Sequence, residues 1–205
     1  MHQAAAVLMN VEFQNYLAAV QAGGNFPWGQ YSKFEIPFIQ QQQILAGVNR
    51  QEKLEVQKEP CVNGAAVAFF QAITSIIPNV ACQWFQSGLQ DTGTRQIQAL
   101  LECKRHHRNY HLPQVQMQEV AEMVAWIKEF GDTPHRPWRA SFSANGKELY
   151  VQIFEYADNW VRYLKRGITA NADLATMHTF GPYTIGDADD MNSFSQIFVA
   201  ITLHG

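Results

Sequence analysis

Three residues of this sequence have the types and the order that a thiol nucleophile requires, namely Cys61, His178 and Asp187. Cys61 follows Pro60 and precedes a run of small residues, so the sequence predicts that its sulfur lies in the first turn of a helix. The partial positive charge at a helix N-terminus favours the thiolate, which is the nucleophilic form of cysteine. Cys61 is therefore the candidate nucleophile, and a buried structural cysteine is the competing interpretation.

His178 is the candidate general base. It lies in a predicted strand at residues 174–180, and Gly181-Pro182 separates this segment from a second predicted strand at residues 183–185. A hairpin of these two strands would bring the imidazole close to Asp187, whose carboxylate would orient it. The other candidates for the orienting role are Asp189, Asp190 and Asn192. The alternative interpretation is a solvated acidic loop beside an ordinary strand histidine.

A second group of residues has the types found in zinc sites: Cys103, His106, His107 and His111. Positions 103, 107 and 111 would share one face of a continuous helix. Structural zinc sites usually take paired ligands from two separated segments, whereas these residues lie in a single run. The sequence therefore predicts neither a metal nor another cofactor.

The order of the candidate residues resembles that of the papain-like cysteine peptidases. In that family a cysteine opens the central helix of a helical half, and a later β half supplies histidine and then Asp or Asn. Residues 61–70, CVNGAAVAFF, are similar to that helix. In size and layout the chain is most similar to the secreted bacterial effector proteases of the YopT and AvrPphB type. The resemblance implies a papain-like layout and a cysteine hydrolase, a protease or deamidase, acting on a peptide or protein amide through Cys61, His178 and Asp187.

Two positions depart from the papain-like pattern. The family places a glutamine or a similar oxyanion donor shortly before the nucleophile, and Glu55 stands at that position here. Gln57 is the nearest side-chain amide and is the candidate oxyanion donor, together with the backbone N–H of Cys61. Pro60 replaces the usual tryptophan or glycine beside the nucleophile. These differences leave open a deamidase, a transferase or an inactive relative.

Helical spacing dominates the first 130 residues. The first predicted helix starts near Ala6 and stops at Gly23-Gly24. The segment after Pro60 is apolar on nearly every face, which predicts a buried central helix. The other predicted segments are a packed aromatic loop at residues 25–37, a helix at 38–48, an exposed loop at 49–59, and helices at 80–89, 94–107 and 113–130.

From Trp138 the spacing of apolar residues becomes two, which predicts strands. Asn145-Gly146 between two such runs predicts a hairpin with a type I′ turn. Further strands are predicted at residues 160–164, 174–180, 183–185 and 196–203. The expected fold class is α+β, with a helical N-terminal two thirds, a buried central helix, and an antiparallel β-sheet in the C-terminal third.

Composition limits the classes of function. The 205 residues include 15 Lys and Arg and 18 Asp and Glu, so the formal net charge of −3 leaves no excess of cations for nucleic acid. The apolar stretches are far shorter than the roughly 20 residues of a membrane span, which predicts no membrane insertion. Three cysteines, an odd number, do not form a disulfide framework. We expect a single domain over residues 1–205, either cytoplasmic or exported without a cleavable Sec signal peptide.

The alternative to a hydrolase is a binding protein without catalysis, such as an inhibitor, an immunity protein or a virus structural component. Low charge, glutamine richness and a single domain suit such a protein equally well. The hydrolase hypothesis implies a protein or peptide substrate and a Cys61 that alkylates fastest of the three thiols. Equal and slow alkylation of all three thiols would favour the binding protein.

Overall fold

A computed structural model describes residues 2–24, 26–29, 32–49, 59–85, 88–104, 108–110, 112–130, 137–167 and 173–204. The helices in these ranges are α1 His2–Leu8, α2 Val11–Ala22, α3 Glu35–Asn49, α4 Glu59–Thr74, α5 Gln114–Phe130, α6 Asp158–Arg166 and α7 Ala188–His204, with a 3-10 turn at Arg108–Tyr110. The strands are β1 Cys82–Phe85, β2 Gly88–Asp91, β3 Ile97–Lys104, β4 Trp138–Asn145, β5 Glu148–Glu155 and β6 Thr176–Thr184. The predicted fold class, α+β, is confirmed at this level.

The six strands form one sheet in which their order is the same as their order in the chain. Neighbouring strands are antiparallel except β3 and β4, which are parallel. Parallel neighbours need a crossover connection, and α5 lies in the segment between these two strands. The sheet is therefore mixed, and it begins at Cys82 rather than in the C-terminal third.

Alternating side chains of β4 show which helices cover each face of the sheet. Phe142 packs against Phe70 of α4 and Phe194 of α7, with ring centroids 5.4 and 5.9 Å apart. Its neighbour Ser143 donates a hydrogen bond to Glu119 of α5 at 2.8 Å. Because successive side chains of a strand point to opposite faces, α4 and α7 cover one face and α5 covers the other. The described elements thus form three layers: helices, sheet, helices.

The larger core lies between the sheet and the layer that contains α4 and α7. Its centre is a group of fully buried aromatic side chains, namely Phe70, Trp84, Phe142, Phe194 and Phe198. Burial of one such side chain stabilises the fold by about 1.5–3 kcal/mol. Ala4 of α1 and Ile201 of α7 belong to the same cluster, so elements from both parts of the chain share this core.

The face beneath α5 carries a buried polar network. Arg108 and Glu119, each 4% exposed, form a bidentate ion pair with two N···O distances of 2.5 Å. Ser143 and Gln152 donate further hydrogen bonds to Glu119, at 2.8 and 3.2 Å, and the Arg108 guanidinium stacks on the ring of Tyr150. Such partners offset the desolvation of two buried charges. The network ties the 3-10 turn and α5 to strands β4 and β5.

Several predicted helices are confirmed, with adjusted ends. The helices expected at residues 38–48 and 113–130 are α3 and α5, and the central helix after Pro60 is α4. The first predicted helix is interrupted, because Asn10 accepts a hydrogen bond from the backbone N–H of Glu12 and starts α2. The loop expected at 49–59 falls almost entirely outside the described residues.

Four predicted segments were assigned the wrong type of structure. The helices expected at residues 80–89 and 94–107 are β1, β2 and β3. The strands expected at 160–164 and 196–203 are parts of α6 and α7. In β3 the side chains alternate between two faces, although they are mostly good helix formers, because pairing with β2 and β4 outweighs intrinsic propensity.

The predicted hairpin is present as β4 and β5, but its turn is shifted by one residue. Asn145 pairs with Glu148, so the two loop residues are Gly146 and Lys147. Gly146 has φ 61°, the left-handed conformation that glycine adopts without strain. The strands predicted at 174–180 and 183–185 are one continuous strand, β6. The expected turn at Gly181-Pro182 was wrong, since both residues lie within this edge strand, at an irregularity in its pairing with β5.

Candidate functional site

Cys61 lies in the first turn of α4, as the sequence predicts, and it is exposed. Glu59 is the first residue of the same helix and is exposed too. The thiol is thus accessible to a reagent. The proposed oxyanion donor, Gln57, lies outside the described residues.

His178 lies on β6, opposite Ile153 of β5. Its Nε2 atom is 3.4 Å from Oε2 of Glu155, and the two side chains are 47% and 63% exposed. The carboxylate beside this imidazole is therefore Glu155, which was not among the candidates from the sequence.

Asp187 caps α7 instead of orienting a histidine. Its Oδ1 atom accepts hydrogen bonds from the backbone N–H groups of Asp189 and Asp190, both at 3.0 Å. The carboxylate of Asp190 accepts the backbone N–H of Thr184 at 2.9 Å. His178 and Thr184 lie opposite Ile153 and Glu148 of β5, so the two residues are about 17 Å apart along the strand. The hairpin that was to join His178 and Asp187 is absent from this part of the chain, and the residues are far apart.

The separation of the thiol from the imidazole follows from the register of the sheet. Glu59 of α4 and Cys103 of β3 line the same cleft. The first turn of α4 therefore lies near the end of β3. Cys103 pairs with Ala144 of β4, whereas His178 lies two strands beyond β4, level with Ala140. Cys103 and His178 are therefore three strand spacings apart across the sheet and four residues apart along it, which corresponds to about 20 Å between them. The structure therefore does not bring the three predicted catalytic residues together.

The second candidate group is described only in part. His106, His107 and His111 lie outside the described residues. Cys103 is buried on β3, and burial raises the pKa of its thiol to about 12, with the carboxylates of Glu102 and Glu59 contributing to the shift. Within the described ranges, no group of three or more His, Cys, Asp or Glu side chains is placed to hold a metal ion.

A cleft of about 590 Å³ lies at the edge of the sheet, between the N-terminal turns of α4 and the C-terminal half of α5. We call it the acidic cleft. Four glutamates line it: Glu59, Glu102, Glu122 and Glu129. The other lining residues are mostly apolar: Asn63, Ile97, Leu100, Leu101, Cys103, Ala125, Trp126 and Phe130.

The carboxylates of the acidic cleft affect one another and one lysine. Lys104 forms an ion pair with Glu102. Partial burial by itself lowers the pKa of Lys104, but the hydrogen bond to Glu102 and the charges of Glu102, Glu59 and Glu122 outweigh it, so the pKa is raised. Burial raises the pKa of Glu122, against the hydrogen bond from Gln118 and with added repulsion from Glu102. These shifts have the signs expected in a negative potential.

The acidic cleft opens where β3 loses a neighbour. Within the described residues, the pairing of β2 with β3 extends to Gly88 and Leu100, while the pairing of β3 with β4 continues to Lys104. Among the described strands, residues Leu101 to Lys104 therefore have a partner on one side only. The end of β3 forms a short free edge at the base of the cleft.

The acidic cleft was not predicted from the sequence because its glutamates come from three separate elements. One local signal was present: Glu122, Trp126 and Glu129 have the spacing of a single helix face. A second signal was the alternation in residues 97–104, which favours a strand, although the residue types favour a helix. Neither signal shows that α4, β3 and α5 meet.

Comparison with known proteins gives no family for this chain. No protein-family description, curated protein or solved structure matches it. No helix within the described ranges combines the length and the apolar character needed to cross a membrane.

Proposed function

We propose that this chain is a binding protein that holds a basic segment of a partner protein in the acidic cleft. The observation that carries the proposal is the arrangement of four glutamates around an apolar floor. This is the non-catalytic alternative left open by the sequence, now with a specific surface. The separation of Cys61, His178 and Asp187 supports it over the triad.

The negative charge of the acidic cleft indicates that the partner segment is positively charged. Among the described residues, those that line the acidic cleft include four glutamates and no lysine or arginine. Lys104 compensates only part of this charge through its ion pair with Glu102. A complementary positive charge would be attracted and steered to the cleft, whereas nucleic acid or an acidic protein would be repelled.

The floor of the cleft adds an apolar requirement. Phe130 is 50% exposed at its rim, and the half-buried Ile97 and Leu100 contribute further apolar surface. Removal of such surface from water favours binding. The partner segment therefore combines lysine or arginine with apolar residues.

The test uses an eight-residue synthetic peptide of alternating lysine and valine, and a matched peptide of alternating glutamate and valine. Calorimetric titration at low ionic strength should show binding of the lysine peptide alone, and its affinity should fall as salt is added because the attraction is screened. The absence of binding by the lysine peptide, or equal binding of the two peptides, would contradict the proposal.

One observation favours a second candidate, the cysteine hydrolase of papain-like layout acting on a peptide or protein amide. Cys61 is exposed in the first turn of α4, the position that the resemblance requires. This hypothesis needs a base other than the distant His178. It predicts that Cys61 is alkylated much faster than an unstructured cysteine peptide well below pH 8, and that Cys61→Ala abolishes hydrolysis without unfolding the chain.

A further inference from the structure

We propose that the basic segment binds as an added β-strand along the end of β3, an inference that rests on the proposed function. The free edge formed by Leu101 to Lys104 would be its hydrogen-bonding partner. Addition of a strand to an open sheet edge is a common mode of peptide recognition, in which the main chain provides affinity and the side chains provide specificity.

The direction of the main-chain groups supports strand addition. The backbone N–H of Gly146 donates to the carbonyl oxygen of Lys104, so the carbonyl of Lys104 points towards the β4–β5 hairpin. A Cβ on Gly88 of β2 would collide with the carbonyl oxygen of Ala99, so that carbonyl points the opposite way. Main-chain polar groups alternate in direction along a strand. The N–H and C=O groups of Leu101 and Cys103 therefore point away from β4, on residues that are 6% and 5% exposed.

The walls of the acidic cleft come from both faces of the sheet. Glu59 belongs to α4, which covers one face, and Glu122 and Glu129 belong to α5, which covers the other. A ligand between these walls lies in the plane of the sheet, at the edge of β3. An extended chain fits this position, since its side chains point alternately to the two faces.

The length and charge of the edge select the occupant. Four residues of strand span about 13 Å, so the added strand is short. A second copy of this chain would bring its own carboxylates to the same place, and like charges opposed across a strand pair are destabilising. Charged side chains on an edge also hinder self-association of sheets. A basic strand from a different protein is the occupant that the edge accepts.

Backbone methylation of the peptide probe tests this inference separately from the proposed function. The probes are three eight-residue peptides of alternating lysine and valine: one unmodified, one N-methylated at every valine and one N-methylated at every lysine. In an added strand one set of N–H groups faces β3 and the other faces solvent. We expect one methylated peptide to lose about tenfold or more in affinity, because two hydrogen bonds to the edge are lost, and the other to bind nearly as well as the unmodified peptide.

The outcomes separate the two claims. Equal binding of all three peptides would overturn strand addition and leave the proposed function in place. Equal loss in both methylated peptides would also overturn strand addition, since methyl groups that face solvent leave the edge hydrogen bonds intact. No binding of the unmodified peptide would contradict the proposed function itself.

Discussion

Glu59 and Glu122 lie on opposite faces of the sheet, on α4 and α5, yet both line one cleft and both raise the pKa of Lys104. The parallel pairing of β3 with β4 makes this possible, since the crossover places α5 across the sheet from α4. A negative potential thus forms at a sheet edge rather than on a single face.

Removal of one cleft charge should weaken binding of the lysine–valine peptide. Glu59→Gln and Glu129→Gln remove exposed carboxylates from the two walls and should each lower affinity about 1.5- to 5-fold, the range of exposed ion pairs. The matched control is Glu155→Gln, an exposed glutamate on β5 beside His178. If the control weakens binding as much as the cleft variants, the peptide does not bind in the acidic cleft.

The affinity should depend on pH through Glu122. The ionised form of this residue attracts the peptide, and its pKa is raised above the ordinary value of 4.5, chiefly by burial. As the pH is lowered, Glu122 therefore takes up a proton before ordinary exposed glutamates do, and the affinity begins to fall in that range. Glu122→Gln should bind more weakly at neutral pH and should lose the early part of the fall. Calorimetric titrations across the acid range would contradict this assignment if both proteins gave the same pH profile.

The helix α4 was predicted from its apolar run after Pro60, and in both α4 and α5 the spacing of the buried residues agrees with residue types that favour a helix. In β3 the two signals conflict: Ala99, Leu101 and Cys103 alternate towards α4, while the residue types are typical of helices. Pairing with two neighbouring strands decided the structure, and such pairing is not local information.

The strand predicted within α7 was wrong for the opposite reason: the residue types favour a strand, and the spacing favours a helix. Its phenylalanine, isoleucine and valine residues are typical of strands, but the buried Met191, Phe194, Phe198 and Ile201 lie three or four residues apart. The wrong type of structure for β3 also concealed the acidic cleft, because the cleft exists only where β3 forms a free edge between α4 and α5. The position of Cys61 at a helix start was local information and was predicted.

The buried ion pair of Arg108 and Glu119 should contribute strongly to stability. Glu119→Gln leaves the guanidinium without its charged partner in a buried site, and such changes cost about 3–5 kcal/mol in the free energy of unfolding. The control is again Glu155→Gln, where an exposed change should stay within about 0.5 kcal/mol. Urea unfolding measures both variants, and equal midpoints would show that the buried network does not stabilise the fold.

The three thiols should react at different rates with an alkylating reagent at pH 8. Cys61 is exposed and should react before the buried thiol. Cys103 is buried with a thiol pKa raised to about 12, so it should react only after unfolding. Mass spectrometry of the digested protein locates the label. A reaction at Cys61 that is much faster than that of an unstructured cysteine peptide, and that persists well below pH 8, would support the hydrolase instead.

Cys61→Ala separates thiol chemistry from peptide binding. The side chain lies outside the lining of the acidic cleft. The binding proposal therefore predicts that the variant binds the lysine–valine peptide with unchanged affinity. A loss of binding with the fold intact would place the thiol at the binding surface.

The most direct test of the central claim is amide hydrogen exchange recorded by NMR, with and without the lysine–valine peptide. The account predicts that the amides of Leu101 and Cys103 exchange more slowly when the peptide is present, because they donate to the added strand. The exposed Thr179 on β6, the opposite edge of the sheet, should be unaffected. Protection at β6 with no change at Leu101 and Cys103 would contradict the account, because the acidic cleft would then not be the binding site.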